Sequence, residues 1–192
     1  MPIAVAEAWQ FDCHPVRIMA RLRRVTPGGY VYHVCNRGSR KGPILESYDD
    51  YAAFCALVEE ARRKRPMRIV AYCFLKNHFH FLLWPRGNND VPRFMKWLTG
   101  THARRFHLQR GTVGCGAVYQ SRYYARRIDE TRKFFGALRY VEANALNHGI
   151  VQRAEDWPWS SAWNREGFGE TVVIDDSPIR RPANWLDFLN SF

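Results

Sequence analysis

Two histidines, His78 and His80, sit one residue apart in the run Leu75-Lys76-Asn77-His78-Phe79-His80-Phe81-Leu82-Leu83-Trp84. On a strand, side chains alternate, so both imidazoles share a face with Leu82 and Trp84 behind them. That spacing makes a two-point clamp for a metal ion. The opposite face, Phe79, Phe81 and Leu83, suits packing against helices, which would hold the clamp rigid. Taken alone, the pair reads more readily as two satisfied core histidines. A second set of groups stands later in the chain. Tyr140, Asn144 and His148 recur every four residues, so on a helix they line one ridge. Two imidazoles and the Asn144 carbonyl can hold Mg²⁺ or Mn²⁺ with positions left for phosphate oxygens, and the ion then polarises a phosphodiester. A tyrosyl oxygen that attacks phosphorus forms a covalent protein–DNA ester and so keeps the bond energy for rejoining strands. Tyr140 is the candidate nucleophile, although its spacing also fits an ordinary half-buried helix tyrosine.

These groups need a scaffold, and the pattern supplies one. Tyr30 to Cys35 is β-branched and aromatic and closes with Asn36-Arg37-Gly38-Ser39, which predicts a strand that carries His33. Asp49 or Asp50 can cap a helix with Tyr51, Phe54, Cys55, Val58 and Ala61 on its apolar face, ended by Pro66. Residues 67–74 and 78–84 read as two strands joined by a tight turn, a hairpin with the histidine pair beside its turn. Phe94, Met95, Leu98, His102 and Phe106 trace a second helix that ends near Gly111. Val118 to Arg127 reads as strand or extended loop with interleaved rings and arginines. Asp129 can cap a last long helix, with Phe134, Leu138, Val141 and Ala145 buried and Gly149 as its stop. Trp157-Pro158-Trp159-Ser160-Ser161 is suited to covering an end of the core. No repeat or low-complexity segment is present.

Composition narrows the partner. The chain has 192 residues, 46% apolar and 15% aromatic, enough for one well-buried domain. Its 29 Lys and Arg against 18 Asp and Glu leave a net charge of +11, which favours a polyanion. Arginine dominates, and its planar fork suits phosphate. Arg23, Arg24, Arg104, Arg105, Arg122, Arg126 and Arg127 are candidate DNA contacts. Tyr123 and Tyr124 could stack on unpaired bases, which fits single-stranded nucleic acid or a hairpin end. The five cysteines are widely spaced without any CxxC, so they read as reduced thiols of a cytoplasmic protein. No apolar run approaches the ~18–20 residues of a membrane span. We expect residues 1–18 to form a loosely attached extension, or Met19 to be the natural start. Residues 19–164 then form the domain, and residues 165–192 a tail that can dock back.

The ordered set of motifs resembles the REP-associated tyrosine transposases, which belong to the single-tyrosine transposases of the HUH class. It comprises Tyr32-His33-Val34 with Asn36-Arg37-Gly38, Ala71-Tyr72-Cys73 to Asn77-His78-Phe79-His80, and Tyr119-Gln120-Ser121-Arg122-Tyr123-Tyr124. Tyr140 with Asn144 and Gly149, and Trp157-Pro158-Trp159-Ser160-Ser161, complete it. The likeness covers roughly residues 19–163. It implies an α+β fold, a ferredoxin-like or RRM-like antiparallel sheet with helices packed on it. The pair would sit on a central strand and the nucleophile on the late helix. It also implies His78, His80 and Asn144 as ligands of Mg or Mn, Tyr140 as nucleophile, and as substrate a single-stranded DNA whose imperfect palindromes fold into hairpins. Work on such DNA would associate the protein with the nucleoid. The family often has Asn-Pro where this chain has Asn144-Ala145, which relaxes the helix there.

Other readings stay open at this level. Tyr119 and Tyr123 have the four-residue spacing of a two-tyrosine nuclease. A hairpin DNA- or RNA-binding module could keep the fold and basic surface without cleavage. Cys73, His78 and His80 could serve a zinc-dependent hydrolase, although no general base is evident. Whether the chain works as a monomer or a homodimer is open.

Overall fold

A computed structural model describes residues 25–167 and 171–191. Met19, Arg23 and Arg24 lie outside the described residues.

Four strands form one antiparallel sheet: β1 (Val31–Arg37), β2 (Arg68–Leu75), β3 (His78–Trp84) and β4 (Tyr124–Ile128), in the order β2-β3-β1-β4. Two helices, α1 (Tyr48–Lys64) and α2 (Asp90–Arg110), complete a β-α-β-β-α-β chain order, the ferredoxin-like arrangement. Both pack on one face, where Phe54, Phe74, Phe79, Phe81 and Phe94 are buried and meet largely edge to face. The other face is covered by α3 (Thr131–Glu142), with Phe134, Leu138 and Val141 buried over Val70, Cys73, Leu75 and Leu82. Strand alternation therefore sends Phe79 and Phe81 to one core and His78 and His80 to the other.

Local chemistry sets the boundaries. Helix α1 is capped by Ser47 rather than by Asp49 or Asp50: Ser47 Oγ accepts from the Asp50 N–H at 3.2 Å, and Asp50 Oδ2 accepts from the Ser47 N–H at 3.4 Å. Asp50 is the reciprocal partner in this capping box. Gly111, at φ +63°, ends α2 in the left-handed conformation that glycine adopts without strain. The late helix is not continuous to Gly149. It stops at Glu142, breaks at Ala143 (ψ 10°) and resumes as the short α4 (Asn144–Asn147). Its N-cap is Glu130, not Asp129.

The outer edge of β2 is sealed by later chain. The Phe74 N–H donates to the Trp159 carbonyl at 2.9 Å, the Tyr72 N–H to Ser161 Oγ at 3.1 Å, and the Asp175 N–H to the Ile69 carbonyl at 2.8 Å. An unpaired edge is a template for aggregation, and this cover removes it. Behind Trp159 come α5 (Ser161–Arg165) and, near the C-terminus, α6 (Trp185–Asn190), whose Trp185 and Leu189 are buried in the α3 core. Here Glu142 is fully buried and held by Ser161, Arg165, Arg181 and Trp185. The opposite edge, β4, is largely exposed. Among the described residues no helix is long and apolar enough to cross a membrane.

Candidate active site

Antiparallel pairing places opposite residues on the same face, so the registers give the site directly. Tyr124, Cys35, His80 and Cys73, one from each strand, form a row beneath α3. Arg126, His33, Leu82 and Ala71 form the next row. His78 lies on the same face at the start of β3, paired with Arg37.

Tyr140 descends from α3 onto these rows. Its ring stands edge-on to His80 at 5.3 Å and to His33 at 5.7 Å between centroids. His33 Nε2 and His80 Nδ1 are 3.0 Å apart, and Asn77 Oδ1 is 2.7 Å from His78 Nδ1. With the shared protons on the two Nδ1 atoms, these bonds fix both tautomers and leave His78 and His80 each a lone pair on Nε2. His80 Nε2 is buried and has no hydrogen-bond partner, and Asn144 Oδ1 is buried in the same condition. Two orphaned acceptors beside a third imidazole are unusual in a core, where nearly all polar atoms are paired. A cation satisfies them, so the residues present fit the divalent metal that the sequence implies.

Electrostatics agrees. Burial lowers His78 to about 4, helped by His148 and Arg37 and partly offset by Asn144. Burial and then Arg126 lower His33 to about 4. Burial and the neighbouring His33 and His78 put His80 well below its usual value. All three are neutral at pH 7, the state a metal ligand needs. The Tyr140 phenol is raised by burial, against which a hydrogen bond with Asn144 works, while Cys35 and Cys73 add to the rise. The Tyr140 phenol is therefore protonated at neutral pH.

A second donor set overlaps the first. One donor atom each from His33, Cys35 and His80 all lie within 4.8 Å of one another. His33 and His80 are also joined by a hydrogen bond at 3.0 Å, while His80 Nε2 has no partner. The His33–Cys35–His80 set includes a soft thiol, whereas His78, His80 and the Asn144 oxygen form a harder donor set of the kind that suits Mg²⁺ or Mn²⁺.

The other predicted residues divide by the pleat of β4. Tyr124 and Arg126 share the site face. Tyr123 is buried in the opposite core, 9% exposed, and presents no face to a base. Arg127 also points to that side, its guanidinium over the Tyr30 ring at 4.7 Å. Arg122 is exposed just before β4. Arg104 and Arg105 lie on α2, across the sheet from Tyr140, and Arg105 is paired with Glu60 at 2.7 Å. The Tyr119 hydroxyl lies 2.7 Å from Nδ1 of buried His102 on the α2 side. His148, the last of the predicted ridge, caps α4 and meets the His78 ring edge-on at 5.4 Å. The roles of Asn77 in orienting His78 and of Cys35 beside His80 had no signal in the sequence. His33 did stand out, as a histidine within a β-branched strand.

The site sits on a known scaffold. The family model described as "Transposase IS200 like" matches residues 28–144, a span that includes both histidines and closes on Asn144. A REP-associated tyrosine transposase of Escherichia coli (strain K12) is 26% identical over 148 residues, 74% of this chain and 82% of that protein. Among solved structures, a REP-associated tyrosine transposase bound to a REP hairpin superposes with a TM-score of 0.62 at 23% identity, covering 82% of this chain and 93% of that one. The fold is therefore shared. With the family model matching well over half its length, this chain belongs to the IS200-like transposase family.

Proposed function

We propose that the protein is a metal-dependent single-stranded DNA endonuclease and strand transferase that cleaves hairpin-forming, REP-like DNA through a covalent phosphotyrosine. The observation that carries this reading is the meeting of Tyr140 with His80 and Asn144, whose Nε2 and Oδ1 are buried without partners. His78, His80 and Asn144 would hold Mg²⁺ or Mn²⁺. Bound there, the ion supplies Lewis-acid polarisation of the scissile phosphate. His33 and Asn77 fix the two imidazoles, and Asn144 orients the phenol. The Tyr140 oxygen attacks phosphorus as its proton departs. The new P–O bond to tyrosine replaces the bond to the leaving DNA oxygen, which takes up a proton. The reverse attack by a DNA hydroxyl rejoins strands without an external energy source. Tyr124 and Arg126 stand on the site face at the exposed edge, where a single strand can stack and be held. Arg104, Arg105, Arg122 and Arg127, with Arg23 and Arg24 before the fold, add sequence-independent attraction. The hairpin-bound relative supports a hairpin as substrate.

The test uses the protein and its Tyr140→Phe variant with labelled single-stranded hairpin DNA, in Mn²⁺, Mg²⁺ or EDTA, on a denaturing gel. A metal-dependent adduct absent from the variant is expected. Hairpin binding with no adduct under any condition would replace this reading with a non-cleaving hairpin-binding protein.

A further inference from the structure

Beside Tyr140, on the side away from His78, the surface between β4 and the start of α3 holds a small niche. His33, Tyr140, Ile128, Ala137, Arg126 and Lys133 line it together with Arg127, whose guanidinium itself lies over the Tyr30 ring on the other side of the sheet. His33 is thus shared: one edge of its ring engages His80, and the ring also walls the niche.

Size decides what can enter. The enclosed space is about 10 Å³, close to the minimum for one water molecule. A base ring is far too large. A phosphate oxygen fits, with the rest of the group lying against the cationic rim. The charge also suits an anion. Arg126 and Lys133 bring two cations to it, Lys133 in pairs with Glu130 and Asp129, and Asp129 also pairs with Arg127 at 3.4 Å. These pairs are solvent-exposed, with Asp129 and Glu130 side chains 43% and 59% accessible, so they can exchange a carboxylate for a phosphate at little loss. The positive end of α3, which begins at Thr131 without a side-chain cap, adds to the field.

We infer that this niche binds one backbone phosphate of the cleaved strand, within two nucleotides of the scissile one, and so sets the direction in which the strand crosses Tyr140. The inference rests on the DNA-cleaving reading above. Strand β4 lies two strands from β3, about 10 Å, so a single strand running from the histidine clamp to the sheet edge passes Tyr140 before it reaches Arg126 and Lys133. Lys133 becomes a specific contact rather than part of a diffuse basic surface, and Arg126 acquires a defined target.

The experiment substitutes a neutral methylphosphonate, one position at a time, on both sides of the cleavage point in a hairpin oligonucleotide. Binding is measured by fluorescence anisotropy in the full-length Tyr140→Phe background, with and without Arg126→Gln and Lys133→Gln together. One methylphosphonate within two nucleotides of the cleavage point should weaken binding roughly 5–10-fold in the parent and cause no further loss in the double substitution. The salt dependence of log Kd should fall by about 1–2 in the double substitution, in line with lost phosphate contacts. Equal losses at every phosphate, or the same pattern in both proteins, would overturn the inference, whether or not the adduct forms. A position-specific loss without any adduct from the wild type would keep the niche and sink the cleavage reading. No hairpin binding at all would sink both.

Discussion

Two polar clusters hang from the same stretch of helix. On the β2 side, the Glu142 carboxylate has both oxygens engaged. Oε1 accepts from Ser161 Oγ and Arg165 Nε at 2.9 Å and from Arg181 Nη2 at 3.4 Å, and Oε2 accepts from Trp185 Nε1 at 2.7 Å. Burial alone would raise this carboxyl, but Arg165 and Arg181 more than offset it and hold it below the usual range. One donor there, Arg181 Nε, lacks a partner, though its guanidinium is engaged through Nη2. Two residues away in either direction, Tyr140 and Asn144 face the histidines, and there the loose ends are acceptors, His80 Nε2 and Asn144 Oδ1. A saturated buried charge stabilises an arrangement. Acceptors left open in a buried pocket reserve it for something that arrives later.

The largest effect should come from Glu142→Ala. It leaves Arg165 and Arg181 without their counter-charge and should cost about 3–5 kcal/mol, roughly a 10 °C fall in Tm, read by thermal unfolding. A fall of only a degree or two would erase the contrast between the clusters.

Next is pH, which should separate the two. His33 and His78 are held to about 4 by burial, as is His102 on the other face. Below about 6.5 the unfolded chain takes up protons that these folded imidazoles refuse. Metal-free protein should therefore be fully stable above pH 6.5 and lose stability as pH falls toward 4, by roughly 1.4 kcal/mol per pH unit for each histidine. Glu142, with its carboxyl depressed, keeps its contribution from pH 6.5 down to its unfolded value near 4.5 and loses it only below that. Urea midpoints across pH 4–8 decide, and a flat profile between 6.5 and 5 would count against buried neutral histidines. The smallest effect on stability belongs to Asn144→Leu. It keeps the heavy-atom count and removes an unpaired acceptor together with the Asn144–Tyr140 hydrogen bond, opposing effects that should leave a shift of about 1 kcal/mol or less, while Mn²⁺ affinity by titration drops at least 10-fold. Unchanged Mn²⁺ affinity would remove Asn144 from the ligand set.

Much of the scaffold was legible because local rules sufficed. Period-two alternation put His78 and His80 on one face, the turn at Lys76-Asn77 gave the hairpin, and Gly111 marked the end of α2. What escaped depended on distant pairing. His33 and His80 are 47 residues apart, and only the β1–β3 register brings their rings together. The rings and arginines of Val118 to Arg127 looked alike in sequence, yet one step of the pleat buries Tyr123 and exposes Tyr124. The break at Ala143 had no sequence signal either, since Val141 to Ala145 contains neither Gly nor Pro. It follows from the fixing of Glu142 on one side and the burial of Ala145 and Leu146 on the other.

The partners of Glu142 arrive late in synthesis. Ser161 and Arg165 follow it by 19 and 23 residues, Arg181 and Trp185 by 39 and 43. Until those later residues have joined it, the Glu142 carboxylate lacks its counter-charges, and contacts of such long sequence separation form slowly. The helix that carries Tyr140 is therefore locked by chain made 19 to 43 residues after Glu142, a late step in the assembly of the fold.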